Sequence, residues 1–228
     1  MTAERQAAPG GAASLLGLAA AFGLPAALLF LRPSELFPTL SQAEQVLVGE
    51  AGWWLAALVV LLVMFVGERR GLSSIDLRLP GLRSILWGVV GSVVLIALFM
   101  ATQVLLQLLG LGLSKSAALD FTQIPVWLIL AMALRAGVVE EILFRGYAVT
   151  RLESLTGRTW IAALLSLAAF VVLHATSWSA GHLIFVAVAG GALTLMYVWK
   201  RNLAANIIAH TLVDVAGLMM AHAAATQG

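Results

Sequence analysis

From residue 159 to residue 199 the chain carries no formal charge, a run about twice the ~20 apolar residues that one helix needs to cross a bilayer. Thr176, Ser177, Ser179, Ala180 and Gly181 offer a turn in its middle. The run therefore divides into helices over about 160–175 and 182–199. The rest of the chain has the same character: 61% of the 228 residues are hydrophobic and 11% are charged, whereas soluble domains carry about 25% charged residues. Most of such a surface faces something other than water. The expected fold is an all-α, polytopic membrane bundle of about seven to eight helices. A secreted enzyme, a cytosolic enzyme and a nucleic-acid-binding module are excluded as default readings.

The net charge of +2 is small, and membrane proteins keep basic residues for orientation, so no nucleic-acid partner is implied. The absence of Cys excludes disulfides, thiolate zinc sites and a cysteine nucleophile together. Any hydrolytic chemistry must use carboxylate, imidazole or hydroxyl groups.

Charged residues mark the breaks between spans. The first expected helix covers 11–31, and the residues after it do not resemble a signal cleavage site, so it reads as a retained anchor. The second lies between Glu50 and Glu68, starting at the interface-suited Trp53 and Trp54; the third lies within 84–114. A fourth starts near Ile124 and runs through Arg135, Glu140, Glu141 and Arg145 without a breaker before Thr150. The last covers about 203–221. With seven spans and a cytoplasmic N-terminus, the inside segments hold Arg5, Arg69, Arg70, Arg78, Arg83, Arg151, Arg158, Lys200 and Arg201, against Arg32 and Lys115 outside. That bias fits the positive-inside rule and leaves the C-terminus outside. A re-entrant stretch over 113–125 would raise the count to eight. We read one membrane domain over 1–228, in a membrane of prokaryotic plasma-membrane type. Gly88 with Gly91, and Ala187 with Gly191, put small residues at helical spacing for close packing.

Ionisable side chains inside a span cost a few kcal/mol at least and normally face the bundle interior. Here they fall in three groups: Glu140-Glu141 with Arg145, Phe170 with His174, and Asn206, His210 and Asp214. Glu141 and Arg145, four residues apart in the favourable order, suit an ion pair on one helix face. Glu140 points about 100° away on an α-helix, which leaves it available to another helix. A carboxylate in a partly dry cavity is a stronger base than one in water, as water activation requires. His174 alone would be an ordinary buried histidine held by a carbonyl. A second intramembrane histidine with an acid one turn later argues for a site. Asn206, His210 and Asp214 form an i, i+4, i+8 stripe that serves either as interhelical glue or as a site. His182 reads as interfacial, His222 as a solvated tail residue, and Arg135 either pairs with an acid in the bundle or snorkels to an interface.

Glu140-Glu141-x-x-x-Arg145, Phe170-x-x-x-His174 and His210-x-x-x-Asp214, in that order on separate helices, resemble the three motifs of the CPBP family of intramembrane proteases. That family includes the CAAX prenyl endopeptidase, also called Ras-converting endopeptidase, and bacterial proteins linked to bacteriocin processing and immunity. The resemblance covers about 124–220, the motif-bearing core. It implies a glutamate-dependent endopeptidase acting on a membrane-associated protein or peptide. In it Glu140 is the general base, working with His174 on the attacking water, and His210 with residue 214 stabilises the oxyanion. Glu141 and Arg145 support Glu140, and Asn206 belongs to the supporting set. The family often has Asn where this chain has Asp214, and an ionised Asp has no proton to donate. Either Asp214 is protonated, or it orients His210 and favours the imidazolium; the second needs less unusual chemistry.

No cofactor is favoured. The mechanistic alternative is a zinc site with Glu140, His174 and His210 as ligands and an open water position, against which the chain has no HExxH pair. The alternative of another class is a non-proteolytic immunity or scaffold protein, or a small transporter using the cluster as an ion relay. The chain lacks the paired broken helices of repeat-built transporters.

Overall fold

The computed structural model describes residues 11–111, 119–175 and 179–227. Arg5, Lys115, Thr176, Ser177, Trp178 and the 113–118 part of the expected re-entrant stretch lie outside the described residues. Among the described residues every regular element is helical. In chain order these are α1 (Gly11–Phe30), the short α2 (Pro33–Leu36), α3 (Gln42–Leu62) prolonged by a π turn (Val63–Gly67), a 3-10 turn (Leu72–Ile75) and α4 (Leu82–Leu108). A second 3-10 turn (Phe121–Gln123) leads into α5 (Val126–Arg135), which continues unbroken through a π-helical segment (Ala136–Ala148) into α6 (Val149–Thr156). Three helices follow: α7 (Thr159–His174), α8 (Ala180–Lys200) and α9 (Leu203–Thr226).

Five described helices are long and apolar enough to cross a membrane: α1, α3 with its π turn, α4, α8 and α9. α7 is apolar but only 16 residues long, and the α5–α6 helix carries the charged motif. The protein is an all-α membrane bundle.

The second helix begins well before Trp53, where the sequence reading starts it. Ser41 and Glu44 form a capping box: the Glu44 carboxylate accepts the Ser41 N–H at 2.8 Å and the Ser41 hydroxyl accepts the Glu44 N–H at 3.4 Å. This satisfies two otherwise unpaired donors at the helix start. Glu50 is consequently an interior residue of α3, not a boundary.

The charged motif lies at the centre of the molecule. Every residue of Ala136–Ala148 except Val138 is buried, and the segment contacts α1, α3, α7 and α9 as well as its own flanks. Leu18 and Ala21 of α1, Val60 and Met64 around the end of α3, and Phe170 of α7 pack with Leu143, Phe144 and Tyr147 in the main apolar core. The segment is π-helical, with hydrogen bonds five residues apart; the Val149 N–H, for example, reaches the Phe144 carbonyl. Ser166 of α7 donates to that same carbonyl at 2.7 Å.

Gly157 closes α6 with φ +68°, a left-handed conformation that glycine adopts without a Cβ penalty, and α7 turns back against α6. On the other side α4 packs along α9. A Cβ on Gly88 would stand 2.5 Å from the Ile208 methyl, and one on Gly91 would stand 3.0 Å from the Ala209 Cβ, so this pair is close-packed as its small residues predict. Gly191 meets only Leu167, at 3.9 Å; the tight approach on α8 is at its neighbour Gly190.

Three residues differ from their expected surroundings. His222 is half-buried, and its Nδ1 donates to the Phe121 carbonyl at 2.9 Å, tying the end of α9 to the 3-10 turn. Arg151 is fully buried rather than a solvated orientation marker. It grips Glu68 at 2.6 Å and 2.9 Å and donates to the Ser74 carbonyl at 3.1 Å, while Tyr147 and Ser14 donate to the other Glu68 oxygen at 2.6 Å and 2.9 Å. Arg201 is likewise engaged, by Glu153 at 2.8 Å and Asp76 at 3.8 Å.

Candidate active site

Two adjacent carboxylates on the π segment take entirely different partners. Glu141, fully buried, accepts from Arg145 Nη1 at 3.0 Å, from His210 Nδ1 at 2.9 Å and from Asn206 Nδ2 at 3.2 Å. The expected Glu141–Arg145 pair is therefore present, and the same carboxylate also fastens α9. Arg145 is satisfied on its other side: it donates to the Gly190 carbonyl at 3.0 Å and to Thr194 at 3.4 Å, and its guanidinium stands 4.3 Å from the centre of the Phe170 ring. A buried ion pair is tolerable only when its remaining donors and acceptors are met in this way.

Glu140 is also buried, and it is not free. Its Oε1 accepts from Arg135 Nη1 at 2.8 Å. Arg135 makes a two-pronged contact with Glu50 of α3, Nε to Oε2 at 2.9 Å and Nη2 to Oε1 at 3.1 Å, with Trp53 beneath its guanidinium at 5.0 Å. This accounts for Arg135, the one charge for which the sequence offers no partner. Glu50 and Arg135 form a clamp, and Glu140 is its third member. A signal for it was legible: the Ser41–Glu44 capping box starts the helix early enough to carry Glu50 into the interior.

On a π-helix successive residues rotate by less than the about 100° of an α-helix, because each turn holds more residues. Glu140 and Glu141 are consequently closer in direction than α-helical geometry predicts. The separation of their partners comes from the surrounding helices: α3 and α5 on one side, α8 and α9 on the other.

His174 is not deep within its helix but its last residue, half-buried. Its Nδ1 donates to the Phe170 carbonyl at 2.8 Å, and its ring lies 4.5 Å from that of Phe170. A carbonyl only accepts, so Nδ1 carries the proton and Nε2 is the basic nitrogen of the neutral ring. Phe170 thus holds both His174 and, through its face, Arg145.

The polar stripe of α9 faces inward. Asn206 and His210 are buried, and Asn206 donates to the Leu193 carbonyl at 2.8 Å as well as to Glu141. His210 is gripped at Nδ1 by Glu141, whereas Asp214 lies 3.6 Å from Nε2, at ion-pair rather than hydrogen-bond distance. The orienting hydrogen bond to the ring therefore comes from Glu141, where the sequence reading looked to Asp214. Asp214 is the more open of the two, its side chain 31% exposed, and it lies within electrostatic reach of His210, Glu140, Arg135 and His174. The three motifs, on three separate stretches of chain, converge on one polar cluster.

As to metal, no group of three His, Asp or Glu side chains among the described residues is arranged to hold an ion. Glu140 Oε1 is taken by Arg135, His210 Nδ1 by Glu141 and His174 Nδ1 by the Phe170 carbonyl, so a zinc set of Glu140, His174 and His210 would have to use the other oxygen and the two Nε2 atoms.

The sequence model of the family described as type II CAAX prenyl endopeptidase Rce1-like matches residues 122–216. The match begins at the turn before α5 and ends two residues past Asp214, so it contains every motif residue and leaves α1, α3 and α4 outside. No curated protein and no solved structure matches the chain. Within an all-α membrane bundle, residues 122–216, where the three motifs converge, are thus similar to an Rce1-like domain, a match consistent with a CPBP family intramembrane protease.

Proposed function

We propose that the chain is a glutamate-dependent intramembrane endopeptidase that hydrolyses a peptide bond in a membrane-associated protein or peptide. The observation that carries this reading is the pairing at Glu140 and His210: each has one polar atom fixed by a buried ion and the other turned toward the shared cluster. Arg135 holds Glu140 Oε1, which leaves Oε2 to take a proton. His174, with Nδ1 on the Phe170 carbonyl, presents Nε2 to the same water. As the water oxygen attacks the scissile carbonyl carbon, Glu140 removes its proton and negative charge develops on the carbonyl oxygen. His210 Nε2–H donates to that oxygen; Glu141 at Nδ1 and Asp214 near Nε2 favour the doubly protonated ring. Collapse of the tetrahedral intermediate breaks the C–N bond, and Glu140 returns the proton to the leaving amine. Glu141, Arg145 and Asn206 position this machinery and do not touch the reacting atoms.

The domain expected over 1–228, with its core over 124–220, acquires a reason in this reading, because α3 outside the matched segment supplies Glu50 to the clamp. The proposed topology keeps the N-terminus cytoplasmic. Arg151 and Arg201 are spent on ion pairs with Glu68 and Glu153, while Arg69, Arg78, Arg83, Arg158 and Lys200 keep their place on the proposed inner side. The reading requires no metal.

Cleavage decides between this reading and a scaffold that keeps the buried ions as helix glue. Comparing terminal peptides from cells carrying wild type, Glu140→Ala or His174→Ala, we expect a neo-terminus that disappears in both variants at unchanged membrane expression. A cleavage pattern indifferent to both substitutions would sink the protease reading. Purified protein freed of metal by exhaustive chelation is expected to keep its activity; loss that zinc alone restores would overturn the metal-free mechanism.

A further inference from the structure

The ends of α4, α8 and α9 meet around a polar cavity of about 450 Å³ whose lining includes Arg78, Arg83, Lys200, Arg201 and Trp87. Its one acidic lining residue, Asp76, is engaged by the Tyr197 hydroxyl at 3.0 Å and by Arg201, and Arg201 is further tied to Glu153. Arg78, Arg83 and Lys200 form no ion pair with a carboxylate among the described residues. Lys200 and Arg83 are close enough to repel each other. The Lys200 ammonium is nonetheless held in place, 3.6 Å from the Trp87 ring centre and 3.1 Å from that of Trp199. Like charges gathered without a counter-ion, one of them held in place, form a site for an anion.

A second, apolar groove of about 630 Å³ opens from the same place, lined by Leu82, Leu86 and Val90 together with Arg83 and Trp87. Leu82, Leu86 and Val90 recur every fourth residue, so they form one stripe along the outer face of α4. Arg83 and Trp87 line both spaces. The groove thus leads from the cationic cavity along an apolar face of α4, a helix long and apolar enough to cross a membrane. Trp87 and the 69%-exposed Trp199 sit where tryptophans mark the headgroup level.

We propose that this paired cavity and groove is a binding site for an anionic phospholipid, with the phosphate among Arg78, Arg83 and Lys200 and an acyl chain along Leu82, Leu86 and Val90. Basic pockets between membrane helices recognise anionic headgroups in this way. The charge complementarity calls for an anion, and the continuous apolar groove selects a lipid over a free phosphate, which would use only the polar half. The site shares no lining residue with the motif cluster and does not depend on the protease reading.

The full chain, purified in a neutral detergent, is titrated with phosphatidylglycerol, phosphatidylcholine or inorganic phosphate, and the melting temperature is followed. Phosphatidylglycerol is expected to raise it saturably and the other two to leave it unchanged. In the double variant Arg83→Gln/Lys200→Gln the half-saturating lipid concentration is expected to rise roughly 30-fold, the effect of removing two interfacial charges. Arg32→Gln, at an exposed basic residue elsewhere, is expected to leave it unchanged. Arg78→Gln, on an exposed connecting loop, repeats the measurement where no packing is disturbed and is expected to weaken binding several-fold. A response to phosphatidylcholine equal to that for phosphatidylglycerol, an equal response to inorganic phosphate, or an unchanged response in both cavity variants would each overturn the proposal.

Discussion

The histidine on α9 takes its orientation from an acid on another helix. Glu141 holds His210 Nδ1 at 2.9 Å, while Asp214, one turn along the same helix, stands 3.6 Å from Nε2. Replacing Asp214 by Asn removes a charge but keeps a polar group of the same shape, and the Glu141 hydrogen bond survives. Asp214→Asn is therefore expected to retain activity within about tenfold of wild type. His210→Ala removes the proposed oxyanion donor itself, a change of the kind that costs about 10²–10³ in kcat. Steady-state cleavage by the two variants at matched expression checks this, and abolished cleavage in Asp214→Asn would give the carboxylate a role beyond orientation. Arg135 carries the complementary lesson. The sequence left open whether it pairs with an acid or reaches an interface; its partners are Glu140, five residues along its own continuous helix, and Glu50 across the bundle. One-dimensional spacing assigns neither.

Among the elements, the π segment is where close approach matters most. A Cβ on Gly137 would lie 2.1 Å from Thr211 Oγ1 and 2.7 Å from the Thr211 backbone nitrogen, and a backbone atom on α9 cannot rotate out of the way. Gly137→Ala is expected to destabilise the protein by about 1–3 kcal/mol through overpacking and to push α9, which carries His210, away from Glu141. Gly191→Ala makes the contrast. Its Cβ would meet only Leu167 at 3.9 Å, so the gain in helix propensity of about 0.5–1 kcal/mol is left to express itself. Thermal unfolding of the two variants in one detergent tests the pair; equal melting temperatures would contradict it. The small-residue spacing named Gly191 in advance and missed Gly137, because the spacing records helix periodicity and not which neighbour lies opposite.

For the whole molecule, a second buried ion cluster holds together what the three motifs do not touch. Glu68 and Arg151, both with fully buried side chains, join the end of α3 to α6 and draw in Ser14 of α1 and Tyr147 of the π segment. Arg151→Gln strands a buried carboxylate and is expected to cost about 3–5 kcal/mol, whereas replacing both partners by Met is expected to recover most of that loss. Denaturant unfolding of the single and double variants checks this, and a double variant no better than Arg151→Gln would show that the charges carry more than pair desolvation. The sequence by itself determined the membrane location, the helical class and the motif residues. All of these rest on hydropathy and spacing along one chain, and lipid leaves a long uncharged run little choice but a helix. Only the tertiary structure decided which acid faces which base. It brought Glu50 to Arg135, Glu141 to His210 and Glu68 to Arg151, and left Arg78, Arg83 and Lys200 without an ion pair to a carboxylate among the described residues. The physical reason is that an ion in a dry bundle takes whichever partner the packed helices bring within about 3 Å, and that choice belongs to packing and not to neighbours in the chain.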